Sequence, residues 1–191
     1  TFNQTSWCTQ RELSGGGVLL DQGIHIVDLL RLFAGEFTEV HSFISNSVWK
    51  HDVEDNAYAL MRTPDGIVAM LHSSASQWRH RFGLEITLTR GALNLSGILS
   101  GSKSYGAETL TIARTTTDDR GYPKEEIHNY ENDNSWSDEV AEFVDTVLKD
   151  SPIQNRSSQE ALNTMKLVYK IYCADTNWKT KWGLTEEIPI G

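Results

Sequence analysis

The sequence predicts an α+β fold in which an open, mainly antiparallel sheet of about six strands carries helices packed on one face. Short segments of alternating apolar and polar residues, separated by turn residues, occupy the middle of the chain. Segments with helical periodicity lie before and after them. The 191 residues are enough to bury a sizeable core, so we expect residues 1–191 to form a single domain.

The first predicted helix follows a run of three glycines at residues 15–17 and covers residues 22–34. Successive glycines indicate unusual backbone angles, or the close approach of another group, just before the helix. Asp21 and His25 are four residues apart, so they lie on the same side of a helix and can act on one bound group. On the same helix, Asp28 is placed to pair with Arg31.

The middle of the chain reads as a succession of antiparallel strands. Residues 37–49 are rich in β-branched and aromatic side chains, and the turn sequence Pro64-Asp65-Gly66 separates two further strands. Later segments alternate apolar and polar residues, which predicts strands with one buried face. The predicted strands are residues 37–49, 56–62, 67–73, 84–89, 92–95, 110–112 and 126–130.

Two helices are predicted to close the chain. Residues 135–148 place an apolar stripe on one side: Trp136, Val140, Phe143, Val144 and Val147. Residues 157–160 form a capping box that begins a helix running to about residue 175. Its expected inward residues are Leu162, Met165, Tyr169 and Tyr172.

Composition narrows the classes of partner. The formal net charge of −9 argues against nucleic acid and anionic membranes as partners. No apolar run approaches the roughly 18 residues of a membrane span, and we expect no signal peptide. The two cysteines do not form a disulfide framework, so we expect a reducing, cytoplasmic setting.

The pattern Gly-Gly-Gly-x-x-x-Asp-x-Gly-x-His-x-x-Asp, from Gly15 to Asp28, resembles the segment that opens the C-terminal domain of the Gfo/Idh/MocA oxidoreductases. These are relatives of glucose-fructose oxidoreductase and inositol dehydrogenase. The later order of strands and helices agrees, so the resemblance covers nearly the whole chain. The N-terminal Rossmann half of such enzymes is absent from this sequence.

The resemblance implies hydride transfer between NAD or NADP and a sugar, polyol or nucleotide sugar. Neutral imidazole can accept a hydroxyl proton, so His25 is the expected proton acceptor and Asp21 its partner or a substrate ligand. In the resembled family, a lysine on the nucleotide-binding half completes the catalytic residues. We therefore expect the isolated chain to be inactive. The resemblance also implies a homo-oligomer that associates through the open sheet face. Candidates for that face are Trp49, Met61, Met70 and Trp78, and ordinary core packing is at least as strong an alternative for them.

Several other residues are candidates for substrate binding. Trp7 is either core packing or one wall of a sugar site. A second cluster comprises His72, Trp78, Arg79, His80 and Arg81, and the last four are consecutive between two predicted strands. Arg79 or Arg81 can hold a carboxylate or phosphate by paired hydrogen bonds, and the alternative is a solvated basic turn. Glu54 and Asp55 precede a strand, where we expect a solvated turn more than a functional acidic pair.

Three rival interpretations stay open at this point. By spacing alone, Asp21 and His25 are more often a structural pair than a catalytic one, and with His72 they are also conceivable metal ligands. A second rival keeps the fold and the NAD but changes the reaction to glycoside cleavage. A third is a non-catalytic oligomerisation or sugar-binding module, since the chain has no Gly-x-Gly-x-x-Gly after a strand.

Overall fold

A computed structural model describes residues 6–99, 104–117, 121–153 and 157–186. The chain forms two compact units, one of residues 1–76 and 154–191 and the other of residues 77–153. The helices are α1 (Arg11–Ser14), α2 (Ile24–Ala34), α3 (Ser135–Leu148), α4 (Ser158–Ala174) and α5 (Thr176–Trp182). The strands are β1 (Glu39–Ser45), β2 (Asn56–Arg62), β3 (Val68–Ser74), β4 (Gly83–Leu88), β5 (Gly91–Ser96), β6 (Glu108–Arg114) and β7 (Glu125–Tyr130).

The predicted α+β class with antiparallel strands is confirmed, and each predicted strand has its counterpart. Instead of one sheet, the described strands form two: β1-β2-β3 in the first unit and β4-β5-β6-β7 in the second. Within each sheet every neighbouring pair is antiparallel. No helix among the described residues is long and apolar enough to cross a membrane.

In the first unit, α2 and α4 pack on one face of the three-stranded sheet. Strand β2 alternates buried and exposed residues, which is the pattern of a sheet covered on one side. The Ser42 hydroxyl on β1 donates to the carbonyl of Ile171 on α4 at 2.6 Å, so a polar contact fixes the helix against the strand. The core of this layer comprises Val27, Leu30, Ala57, Ala59, Met61, Leu71, Leu167, Val168 and Ile171.

The other face of this sheet is exposed and partly apolar. Phe43, Tyr58 and His72 form one cross-strand row, and His41, Leu60 and Met70 form the next. Of the candidates for this face, Met61 does not lie on it: its side chain is buried under the helices, which is the core packing that the sequence left as its alternative. Met61 follows exposed Leu60 along the strand, and successive side chains point to opposite faces.

The two closing helices begin and end close to the predicted residues, but their buried faces differ from expectation. On α4 the buried residues are Thr164, Leu167, Val168, Ile171, Tyr172 and Cys173. Leu162 lies off this stripe and is 40% exposed, so its predicted inward position is wrong. The apolar stripe of α3 is exposed along its whole length, and so is Phe33 on α2.

A buried guanidinium joins α2 to α4. Arg31 Nη1 donates to Thr164 Oγ1 at 2.8 Å, and Arg31 Nη2 donates to Glu160 Oε2 at 2.9 Å and also to the Glu36 carboxylate. Asp28 lies 4.0 Å from Arg31, which confirms the predicted pair, and it also accepts a hydrogen bond from Thr164. Hydrogen bonds to the carboxylates of Glu36 and Glu160 raise the pKa of Arg31. The guanidinium therefore stays charged although its side chain is only 4% exposed.

We predict that Arg31→Met lowers the free energy of unfolding by about 2 kcal/mol, because it removes charge-assisted hydrogen bonds between α2 and α4. Arg62→Met is the matched control, since Arg62 pairs with Glu39 at the exposed surface. We expect that variant to lose less than about 1 kcal/mol. Urea unfolding followed by circular dichroism measures the free energy of unfolding of both variants. Equal losses would show that the buried Arg31 cluster stabilises the fold no more than an exposed ion pair does.

Candidate active site

The glycine run makes the close approach that the sequence predicts. Gly15 adopts a left-handed conformation with φ of +78°, where it ends α1. A Cβ on Gly16 would lie 2.5 Å from the Tyr172 hydroxyl oxygen, and one on Gly17 would lie 2.1 Å from the backbone oxygen of Glu54. The glycines therefore let this loop lie directly against α4 and the segment that leads into β2.

The helix that carries the candidate pair begins earlier than predicted. It is helical from Val18, passes through a π turn at Leu19–Gly23, and continues as α2 to Ala34. Asp21 lies within the π turn, and His25 lies in the first turn of α2. A π turn inserts one extra residue into the helical repeat, so it changes the direction in which nearby side chains point. Such turns occur frequently at functional sites.

One buried carboxylate holds the loop that leads into this helix. Glu54 Oε2 accepts the Gly17 N–H at 2.8 Å, and Glu54 Oε1 accepts the Leu19 N–H at 2.9 Å. The Tyr172 hydroxyl on α4 donates to Glu54 Oε1 at 2.6 Å. The Val18 N–H donates to the backbone oxygen of Glu54 at 3.2 Å. The start of the helix is therefore bound, through both the side chain and the backbone of Glu54, to the segment that leads into β2.

The expectation that Glu54 and Asp55 form a solvated turn is wrong, because both carboxylates are buried. Burial raises the pKa of Glu54, and the hydrogen bonds from Tyr172 and from the loop amides oppose that rise. Burial raises the pKa of Tyr172 as well, with the charge of Glu54 adding to the effect, so the phenol keeps the proton that it donates. Asp55 accepts the backbone N–H groups of Val48 and Trp49 at 2.8 and 2.9 Å and thereby shapes the turn after β1.

Asp21 and His25 have exposed side chains above this fixed backbone. Among the residues that the structure describes, neither side chain is engaged by another protein group. The structure thus brings a carboxylate and an imidazole onto one short helical segment, both open to a ligand. Such a pair can bind a hydroxyl group and accept its proton.

The other predicted site residues are also exposed, in different places. Trp7 lies in a short 3₁₀ turn, Trp7–Thr9, of the first unit, and it is 65% exposed, which removes core packing as its role. Trp78, Arg79 and Arg81 lie together in the second unit, in the segment between β3 and β4. Trp78 is fully exposed there.

His72 is tied to a neighbour across the sheet and does not belong to the exposed basic segment. Its ring stacks on Tyr58 with the centroids 4.3 Å apart, and partial burial lowers the pKa of His72. In the described part of the chain, no group of three histidine, cysteine, aspartate or glutamate side chains is arranged to hold a metal ion.

Comparison with known proteins relates the first half of the chain to one protein family. Residues 1–94 match the profile described as the GFO/IDH/MocA C-terminal domain. The chain is 30% identical over 109 residues to the 1,5-anhydro-D-fructose reductase of Ensifer adhaerens, a match that covers 56% of this chain and 32% of the relative. The chain thus spans about a third of the length of that relative.

Solved structures share the fold at low sequence identity. Levoglucosan dehydrogenase, in complex with NADH and levoglucosan, matches with a TM-score of 0.70 and 16% identity over 93% of this chain and 52% of that one. The UDP-N-acetylglucosamine 3-dehydrogenase of Acidithiobacillus ferrooxidans matches with a TM-score of 0.68 and 19% identity over 84% of this chain and 48% of that one. Further structures of similar fold contain NADH or NADP.

We predict that Gly17→Ala destabilises the fold by about 1–3 kcal/mol, because its Cβ would overlap the backbone oxygen of Glu54. Gly83→Ala is the control, since a Cβ there meets nothing closer than the Leu95 oxygen at 4.0 Å. Thermal and chemical unfolding of both variants measure the difference. An equal stability of the two variants would contradict the close approach.

Proposed function

Residues 1–94 belong to the Gfo/Idh/MocA C-terminal domain family, and from this membership we propose that the chain is the substrate-binding and catalytic half of an NAD(P)-dependent oxidoreductase. Its substrate is a sugar, polyol or nucleotide sugar, and the reaction moves a hydride between a CH–OH group and the cofactor. The observation that carries the proposal is the exposed Asp21 and His25 pair on a helix whose start is fixed by buried contacts.

The proposed roles follow from what the oxidation of an alcohol requires. As hydride leaves the carbon, the hydroxyl proton must pass to a base within hydrogen-bond reach. His25 is that base in our proposal, and it returns the proton in the reverse direction. Asp21 orients the imidazole or a neighbouring hydroxyl of the substrate. Both groups are exposed, so a substrate can reach them without a rearrangement of the helix.

The nicotinamide cofactor accepts or supplies the hydride when it is bound. A dinucleotide needs a glycine-rich turn between a strand and a helix to hold its pyrophosphate. The glycines at residues 15–17 follow a short helix instead of a strand. The Glu54 carboxylate also already accepts the backbone N–H groups of Gly17 and Leu19. These residues do not fit the pyrophosphate, so we assign cofactor binding to a separate nucleotide-binding half. The isolated chain is accordingly expected to lack turnover.

The substrate class is proposed from the similar proteins together with the exposed side chains. Levoglucosan dehydrogenase and UDP-N-acetylglucosamine 3-dehydrogenase share the fold, and both names specify carbohydrate substrates. Trp7 offers an exposed indole on which the C–H face of a sugar ring can stack. Arg79 and Arg81 stay candidates, on the sequence pattern alone, for holding a carboxylate or a diphosphate. We therefore favour a nucleotide sugar over a neutral polyol.

We also propose that the exposed face of the three-stranded sheet joins copies of this chain. Phe43 and Met70 are 78% and 82% exposed on that face, and Tyr58 and Leu60 lie between them. Large apolar side chains in neighbouring rows of one sheet are typical of association surfaces. Paired Glu39 and Arg62 lie at one end of this face and supply a polar rim.

We predict that His25→Ala and Asp21→Asn each lower turnover by roughly 10²–10⁴-fold in a protein that carries both halves, because each removes a group that handles the hydroxyl proton. His128→Ala and Asp65→Asn are matched controls at exposed positions outside the site and outside the association face, and both should keep turnover. Steady-state kinetics and circular dichroism measure activity and folding together. Near-normal turnover in both active-site variants would refute the assignment.

We predict that Phe43→Glu combined with Met70→Glu converts the oligomer to a smaller species, since it places charges in an apolar contact. Leu148→Glu is the control, an equally exposed apolar residue at the end of α3. Sedimentation equilibrium gives the mass of each species. An unchanged mass in the double variant would contradict association through this face.

A further inference from the structure

We propose that Glu54 is a positioning residue for Asp21 and His25: its buried carboxylate fixes the backbone from which both side chains project. The inference rests on the proposed function of that pair and extends it to a residue that does not touch substrate. Glu54 is 0% exposed, so its effect must pass through the protein.

The hydrogen bonds form a short path from Glu54 to Asp21. The carboxylate holds the N–H groups of Gly17 and Leu19, and the carbonyl of Gly17 accepts the N–H of Asp21 at 2.9 Å. The Glu54 side chain therefore binds the first residue of the π turn, Leu19, directly, and it reaches the backbone of Asp21 through Gly17. A shift of Gly17 moves the peptide that carries Asp21, and with it the next turn, which carries His25.

Three donors use the carboxylate of Glu54: two loop amides and the Tyr172 hydroxyl. The arrangement suits an ionised acceptor, because both oxygens receive N–H or O–H groups. Glutamine has the same shape, but its amide nitrogen can only donate. In Glu54→Gln, the amide nitrogen replaces one carboxylate oxygen, so its N–H groups face another N–H donor. At least one hydrogen bond to the loop is then lost.

Contacts from other elements limit how the loop can relax. The Ser73 hydroxyl on β3 donates to the carbonyl of Val18 at 3.2 Å, and Gly17 lies against the backbone of Glu54 without room for a Cβ. The loop is thus held from β3, from α4 and from the segment that leads into β2. Because a displacement of about 1 Å can reduce a rate about 100-fold, such support matters for chemistry as well as for stability.

The first test uses the 191-residue chain itself. We expect Glu54→Gln to accelerate amide hydrogen exchange at Gly17 and Leu19 and to shift the His25 ring resonances in NMR spectra. Val168→Ala is the control, since it removes buried volume from α4, the helix that carries Tyr172, without removing a bond to the loop. If both variants change the Gly17, Leu19 and His25 signals equally, the effect is general loosening and the positioning role is refuted.

The second test measures kinetics in a protein that carries both halves. We expect Glu54→Gln to lower kcat about 10- to 100-fold while KM changes by less than about threefold, because the reacting groups are misplaced and the rest of the substrate site is not. Val168→Ala should keep kcat within about threefold of the parent protein. A kcat for Glu54→Gln equal to that of Val168→Ala would overturn the inference.

Tyr172→Phe keeps the test decisive if Glu54→Gln does not fold. It removes one donor from Glu54 and leaves both loop amides in place, so we expect a loss in kcat of about 3- to 10-fold. No loss beyond that of Val168→Ala would again overturn the inference.

Failure of the proposed function looks different: His25→Ala would then turn over normally. If His25→Ala is inactive and Glu54→Gln and Tyr172→Phe are both normal, only the positioning role fails.

Discussion

The contact between the Glu54 carboxylate and the glycine loop is the constraint on which the first unit depends. It joins the segment that leads into β2, the start of the first long helix and α4 through a single buried group. A buried carboxylate is costly unless its acceptor capacity is filled, and here two backbone amides and a phenol fill it. The glycines follow from the same constraint, because any side chain at residue 17 would collide with the backbone of Glu54.

A second polar cluster secures the other end of the same layer. Arg31 connects α2 to Thr164 and Glu160 of α4, and Asp28 accepts from the same threonine. Between these clusters α2 and α4 pack against each other, and they contact β3 and β1 respectively. The exposed pair, Asp21 and His25, therefore belongs to a helix that is held at both ends. A site that is completed by a second domain needs exposed side chains, so that the other domain and the substrate can reach them. It also needs a rigid backbone that holds those side chains in place.

Much of this arrangement could be predicted from the sequence, and the limits are instructive. Periodicity and turn residues located the strands and the closing helices, because these patterns are local. The Gly15–Asp28 motif identified the family, which the profile match to residues 1–94 confirms. The burial of Glu54 was missed, since an acidic residue before a strand is normally solvated. Its burial depends on Tyr172, which is 118 residues away in the chain. The glycine run was the available signal that another group lies close by.

Chemical rescue of the His25→Ala variant by imidazole, in a protein that carries both halves, tests the central claim most directly. The claim is that the His25 imidazole handles the proton of the substrate hydroxyl, and the exposed position leaves room for a free imidazole to take its place. We expect His25→Ala to be nearly inactive and to gain turnover in proportion to added imidazole, while Asp21→Asn gains none. Turnover of His25→Ala at the parent rate, whether or not imidazole is present, would contradict the account.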